Sequence, residues 1–203
     1  MIEPITILYT QNILGDLMLL PRLARLLWHL KRTATGITRV FDLGDACSPT
    51  NPLCEWTEGR AVIIVLDAMG YDAIHVNGYL SENAYEKLAE NYLNAVLVHA
   101  EQSYTDDLLQ FGAHPLPNKL HIPIPASPPP PVDSPLLRLP SLSAGQIGRV
   151  VVTLEEGQPI SHYTLFELTP DVLPEPTIVA TLNFVMDEAR YFQKVKERQS
   201  KLN

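Results

Sequence analysis

The run from Arg39 to Pro49, RVFDLGDACSP, ends a short apolar stretch in Gly44-Asp45, with a second acid, Asp42, three residues before Asp45. A strand that stops at a glycine and projects a carboxylate from its carboxyl end can hold a metal ion or a phosphate-bearing substrate, because glycine lets the chain turn where the acid must point outward. The same pair is also an ordinary strand terminator. Other groups that could do chemistry are sparse. Cys47 lies just past the Gly-Asp turn, yet no histidine is placed by sequence to activate it as a nucleophile. Cys47 and Cys54 fit neither a disulfide framework nor a zinc site, and plain thiols are expected. No Walker-type loop or Gly-x-Gly-x-x-Gly follows a strand, so a glycine-rich phosphate cradle has no support. Histidines are scattered: His29 falls on a helix's polar side, His75 and His162 within strands, and His99, His114 and His121 in or near a proline-rich stretch. None pairs with another at a ligand spacing, so structural or solvent roles are expected for them. Tyr71, Tyr79 and Asp72 stand where a ligand pocket could form, although a tyrosine near a strand end also serves simply to cover a core.

The elements that must position these groups alternate in type through the first half. ITILYT (5 to 10) is a β-rich run, and Pro21 opens a helix with Leu23, Ala24, Leu27 and Leu30 on one face. TRVFDLGD reads as a second strand, TEGRAVIIVLDAMG as a helix ending at Gly70, and DAIHVNG as a third strand. SENAYEKLAENY follows as a helix capped by Ser81, and NAVLVHA as a fourth strand. A βαβαβαβ order implies a largely parallel sheet. Ligands bind beyond the carboxyl ends of such strands, which makes the loops after Thr10, Leu43, Val76 and Val98 the informative ones.

The second half changes character, because ten of the 18 prolines fall between 115 and 140. Proline donates no ladder hydrogen bond, so an extended connector is expected there and an interior strand or helix is not. GRVVVTLEEGQPISHYTLFEL then reads as a β-hairpin turning near Glu156-Gly157, and PEPTIVATLNFVMDEARYFQKVKERQ as a closing amphipathic helix. The organisation expected is one domain over 1–203: an α/β core half (1–112), a Pro-rich connector (113–145), and a hairpin plus C-terminal helix (146–203).

Composition bounds the partners. Fifteen Lys and Arg against 23 Asp and Glu give a formal charge of -8, so no large basic footprint for nucleic acid exists and an anionic membrane surface would not attract the chain. No segment approaches a membrane span and the first apolar run is too short for a signal peptide, so a cytoplasmic protein is expected. The Pro-rich segment could also dock a protein partner as a polyproline ligand.

Taken in order, ITILYTQNILGDL, ARLLWHLKR, FDLGD and AMGYDAIHVNGYLSENAYEKLAE resemble the calcineurin-like metallophosphoesterases, in the branch of 5′-nucleotidases and 2′,3′-cyclic-nucleotide phosphodiesterases. The match spans about residues 5 to 98, and the tail from Gly145 to Asn183 resembles the final hairpin and helix of the same domain. The resemblance implies an α/β fold, a reduced α/β/β/α sandwich with the Pro-rich connector in its middle. It also implies where ligands for two divalent ions would stand, since carboxylates and neutral imidazoles position such ions to polarise a phosphate and generate hydroxide. In register, Asn12 replaces the family's metal-binding aspartate and Leu14 its histidine. Gly44-Asp45 survives, with Asp42 as in many relatives. Gly78 falls at the asparagine ligand position and Tyr79 at that of the following histidine, while a one-residue slip would bring Asn77 near the lost ligand. The later Gly-His-(Thr or Ser)-His motif is missing, its region replaced by the connector.

Two readings follow from the resemblance. In the first the chain is a pseudoenzyme that has lost the dinuclear site and hydrolase activity, needs no cofactor, and binds a ligand or partner or serves a structural role. In the second a rebuilt one-metal site at Asp45, helped by Asn12 and Asn77, holds Mn²⁺, Mg²⁺ or Ca²⁺ weakly and hydrolyses a phosphate ester. Asp42 and Tyr79 are the candidate binding residues beside it. Loss of part of a two-sheet sandwich would leave an apolar face, so a homodimer is expected.

Overall fold

Strand β1 (Ile5–Thr10) is buried at every position, which places it at the centre of a sheet covered on both faces. In the computed structural model, which describes residues 3–76, 78–90, 93–124, 135–155 and 158–200, the sheet is built outward from β1. Helix α1 (Leu20–Thr33) leads to β2 (Ile37–Asp42), then α2 (Pro52–Thr57) and α3 (Arg60–Met69) to β3 (Ala73–His75), and α4 (Glu82–Glu90) to β4 (Val96–Val98). These four strands are parallel, in the order β4-β3-β2-β1, as expected of a βαβ series. The hairpin of β8 (Gln146–Glu155) and β9 (Gln158–Glu167) completes six strands, β8 pairing antiparallel to β1. Its expected turn at Glu156-Gly157 lies outside the described residues. Helix α5 (Pro176–Ser200) closes the chain against α1, α2 and α3.

The two faces of the large sheet hold two cores. Alternation along β1 sends Leu8 toward the helices, where it meets Leu23, Leu27, Val62 and Ile178, while Ile5, Ile7 and Tyr9 face the other way. That second face is covered by a small sheet of β5 (Tyr104–Thr105), β6 (Leu109–Gly112) and β7 (Leu120–Pro123), in the order β5-β6-β7. Phe41 of β2 locks the layers together, its ring stacked 5.1 Å from Phe111 and edge-on 5.3 Å from Tyr104. The result is a mixed α/β fold with parallel and antiparallel sheets and a C-terminal helix, layered helices, large sheet, small sheet.

Several expectations change. Cys47 and Cys54 are joined in a disulfide, where plain thiols were expected. Asn51 caps α2 by accepting from Leu53 N, Pro52 starts the helix, and this one short turn returns Cys54 to within 5.8 Å (Cα to Cα) of Cys47. A framework count over two cysteines does not reveal such a local staple. The connector 113–145 contains one strand, β7, which lies at the edge of the small sheet and not in its interior. Proline is tolerated there because Pro123 ends the strand, and on its other side β7 meets, among the described residues, a single bridge at Leu136, with Leu137 N donating to His121 O. The Pro-rich run 126–135 falls almost entirely outside the described residues.

Candidate functional site

The carboxyl ends of β1 and β2 stay in register beyond the strands. Leu43 N donates to Thr10 O (2.9 Å), Asn12 N to Gly44 O (3.1 Å), Leu14 N to Asp45 O (2.9 Å) and Gly15 N to Ala46 O (2.8 Å). This zip needs left-handed backbone at Asn12 (φ 58°), Leu14 (φ 57°) and Asp45 (φ 55°). Asn and Asp tolerate that region, whereas at Leu14 it costs on the order of 1 kcal/mol. Leu14 is nevertheless 48% exposed, so no burial of its own offsets the cost. The first loop is further tied to the segment before β8. Asn12 Nδ2 donates to Leu142 O (2.6 Å), and Gln11 Oε1 accepts from Ser141 Oγ (3.0 Å) and Leu142 N (3.3 Å).

Asp42 does not face outward. It is fully buried beneath the zipped loops, where Oδ2 accepts from Thr10 Oγ1 (2.8 Å) and Oδ1 from Gly44 N (3.1 Å). Thr10 Oγ1 in turn shares a hydrogen bond with the Tyr71 hydroxyl at 2.9 Å. Burial pushes the Asp42 carboxyl up to about 7; the two hydrogen bonds oppose this and the nearby Asp45 charge adds to it. Asp45 is half-buried at the surface of the same corner, and its charge acts on Asp42, His75 and Tyr79.

Tyr79 packs its ring against Gly59, which has φ 83° and where a Cβ would stand 2.7 Å from Tyr79 Cδ2. Only glycine meets both demands there. The Tyr79 hydroxyl is buried and has no hydrogen-bond partner among the described residues. Burial holds it well above the ordinary phenol range, with Asp42 and Asp45 adding to the rise. Asn77 lies outside the described residues.

The described residues at these positions do not fit a two-metal centre. The side chains at Leu14 and Gly78 offer no donor, the Asn12 amide is oriented by Leu142, and both Asp42 oxygens are engaged inside the protein. Of the two acids in the Asp-Leu-Gly-Asp turn, Asp45 is the less buried. Among the described residues, no group of three or more His, Cys, Asp or Glu is arranged to hold a metal ion.

A cavity of about 760 Å³ opens instead beside this corner, at the carboxyl ends of β3 and β4 and the start of α4. His75 stands at its floor, and His99, Tyr85, Glu82, Glu86 and Glu101 around it. His75 is 6% exposed, and its Nδ1 lies 3.0 Å from Leu43 O, so Nδ1 carries the hydrogen and Nε2 is left as an acceptor. Burial holds His75 below the ordinary imidazole range and His99 adds to this, while the Leu43 contact and Asp45 oppose it. His99 sits edge-on to Tyr85 (5.9 Å between centroids), and Tyr85 donates to Gln102 Oε1 (2.6 Å). Ser81, as expected, caps α4 by accepting from Ala84 N (3.1 Å). Reading residue types alone assigned His75 and His99 structural or solvent roles and passed over Tyr85 and the three glutamates. The usable signal was positional, because the loops after Val76 and Val98 follow strand ends.

The layers, the strand order and the two zipped loops are consistent with a shortened metallophosphoesterase-like fold. Among solved structures, the 5′-nucleotidase precursor from Thermus thermophilus superposes with a TM-score of 0.59 at 12% sequence identity over 91% of this chain. The chain spans 59% of the length of that protein, and the likeness is one of fold. No family model matches the sequence. No curated protein matches it. Among the described residues, no helix is long and apolar enough to cross a membrane.

Proposed function

We propose that this chain is a metallophosphoesterase-like pseudoenzyme: its loops after β1 and β2 serve as structural joints, and it acts as a binding protein through the cavity at the ends of β3 and β4. One observation carries the reading. Of the ligand positions at these loops, Leu14 and Gly78 carry no donor side chain and the Asn12 amide is spent on Leu142 O, so among the described residues Asp45 is the one expected ligand with a charged side chain. The disulfide between Cys47 and Cys54 supports an oxidising compartment over the cytoplasm as its place of work. The homodimer expectation finds its support at β9, an edge strand that exposes Ile160, Tyr163 and Leu165.

The test is calorimetric titration of the metal-stripped protein with Mn²⁺ beside Asp45→Asn, together with turnover of bis(p-nitrophenyl) phosphate. The reading expects no saturable binding and no turnover in either protein. Saturable Mn²⁺ binding with hydrolysis, both abolished in Asp45→Asn, would replace it with a one-metal phosphoesterase.

A further inference from the structure

The chemistry of the strand-end cavity selects a class of ligand, an inference that rests on the binding role proposed above. Three carboxylates, Glu82, Glu86 and Glu101, stand on its lining, and the described lining residues include no Lys or Arg. Glu82 and Glu86 are four residues apart on α4, so they project from one face of that helix. The amino end of α4 would by itself attract an anion, but Ser81 Oγ already serves Ala84 N and Glu82 sits in the first turn. The whole chain carries a formal charge of -8, which adds to the same local field.

Independent of the acids, the floor presents an acceptor. His75 is nine-tenths buried, its Nδ1–H is used by Leu43 O, and Nε2 has no partner among the described residues. That lone pair accepts a hydrogen bond and does not donate one, so it suits an N–H of a ligand and repels a phosphate oxygen. Beside it Tyr85 offers an aromatic ring, and Val76, Leu80 and Ile124 supply apolar wall. A ring, an acceptor and a rim of carboxylates are the parts that hold an organic cation. A volume of about 760 Å³ admits a ligand of drug-like size with an apolar body.

We propose that the cavity between β3, β4 and α4 binds an organic amine: its ammonium group is held between His75 Nε2 and Glu82, Glu86 and Glu101, and its apolar body lies against Tyr85 and the aliphatic wall. This is opposite in charge to a phosphate ester.

The experiment uses two probes that share one fluorophore, dansylcadaverine with a primary ammonium and dansylglycine with a carboxylate, titrated into the full chain and followed by dansyl emission. Dansylcadaverine should bind saturably and at least tenfold more tightly than dansylglycine. The triple variant Glu82→Gln, Glu86→Gln, Glu101→Gln, whose changes are all at exposed positions, should weaken the amine about tenfold and leave the far-ultraviolet circular dichroism unchanged. His75→Phe should weaken it further. Equal or tighter binding of dansylglycine, or an unchanged amine affinity in the triple variant, would overturn the cation assignment and leave the binding cavity standing. Saturable binding of neither probe would overturn both.

Discussion

Asp42→Asn is the substitution in which the architecture of the loops makes its sharpest prediction. The buried carboxyl ionises near 7 when folded, against 3.8 in ordinary surroundings. Its folded value is raised, so the stabilisation is fully present below about 4 and is lost as pH climbs through 7, because over that window the folded chain holds a proton that the unfolded chain has released. At about 1.36 kcal/mol for each pH unit between the two values, the full loss is about 4 kcal/mol, of which about 3 kcal/mol falls between pH 5 and pH 8. Asparagine keeps the shape without the charge. Its oxygen can accept from Gly44 N, and its amide can donate to Thr10 Oγ1, whose own hydrogen then turns to the Tyr71 hydroxyl. Urea unfolding followed by the fluorescence of Trp28 and Trp56 at pH 5, 6, 7 and 8 provides the assay. Wild type should lose stability relative to Asp42→Asn by about 3 kcal/mol across that range, with the steepest change below pH 7 and little above it. A difference that stays flat from pH 5 to pH 8 would refute the reasoning, since Asp42 would then ionise as freely in the fold as outside it and would be available as a ligand.

Three further outcomes are expected. Cys47→Ser with Cys54→Ser should destabilise the fold by about 2 kcal/mol, the chain-entropy value for a loop this short, and reductant should bring wild type to the same thermal midpoint as the double variant. Tyr79→Phe removes a buried hydroxyl with no partner among the described residues, so stability should hold or rise by up to about 1 kcal/mol. A clear loss in urea unfolding would show that the hydroxyl is bonded. Gly59→Ala meets both a left-handed φ and the Tyr79 ring, and a loss of about 2 kcal/mol or more by the same measurement is expected.

How much of this was legible in the sequence varies with the range of the force involved. The β-rich run ITILYT and the spacing of Leu23, Ala24, Leu27 and Leu30 encode one strand and one helix face, because strand propensity and the burial of every third and fourth side chain act locally. The Gly70 stop and the Ser81 cap were readable for the same reason, each being a hydrogen-bonding requirement satisfied within a few residues. Strand β7 was hidden because Pro115 and Pro117 precede it and Pro123 ends it, and its pairing partner β6 is supplied by the fold. The short helix α2 and the Cys47–Cys54 link it closes were missed because seven residues carry too little periodicity to announce a turn.

For the site, the sequence by itself determined which donors are absent: the side chains of leucine at 14 and glycine at 78 can bind no metal in any fold. Only the tertiary structure decided what the remaining groups do. Asp42 and Asp45 are three residues apart and chemically identical, yet one is sealed under two loops and the other is only half-buried. Desolvation, which separates them, depends on Tyr71 and on loop segments distant in the chain. In the same way His75 and His99, 24 positions apart, share a cavity because β3 and β4 are neighbours in register, His75 opposite Val98. Local sequence sets the chemistry each side chain can perform, and packing sets which of them share a solvent-poor space.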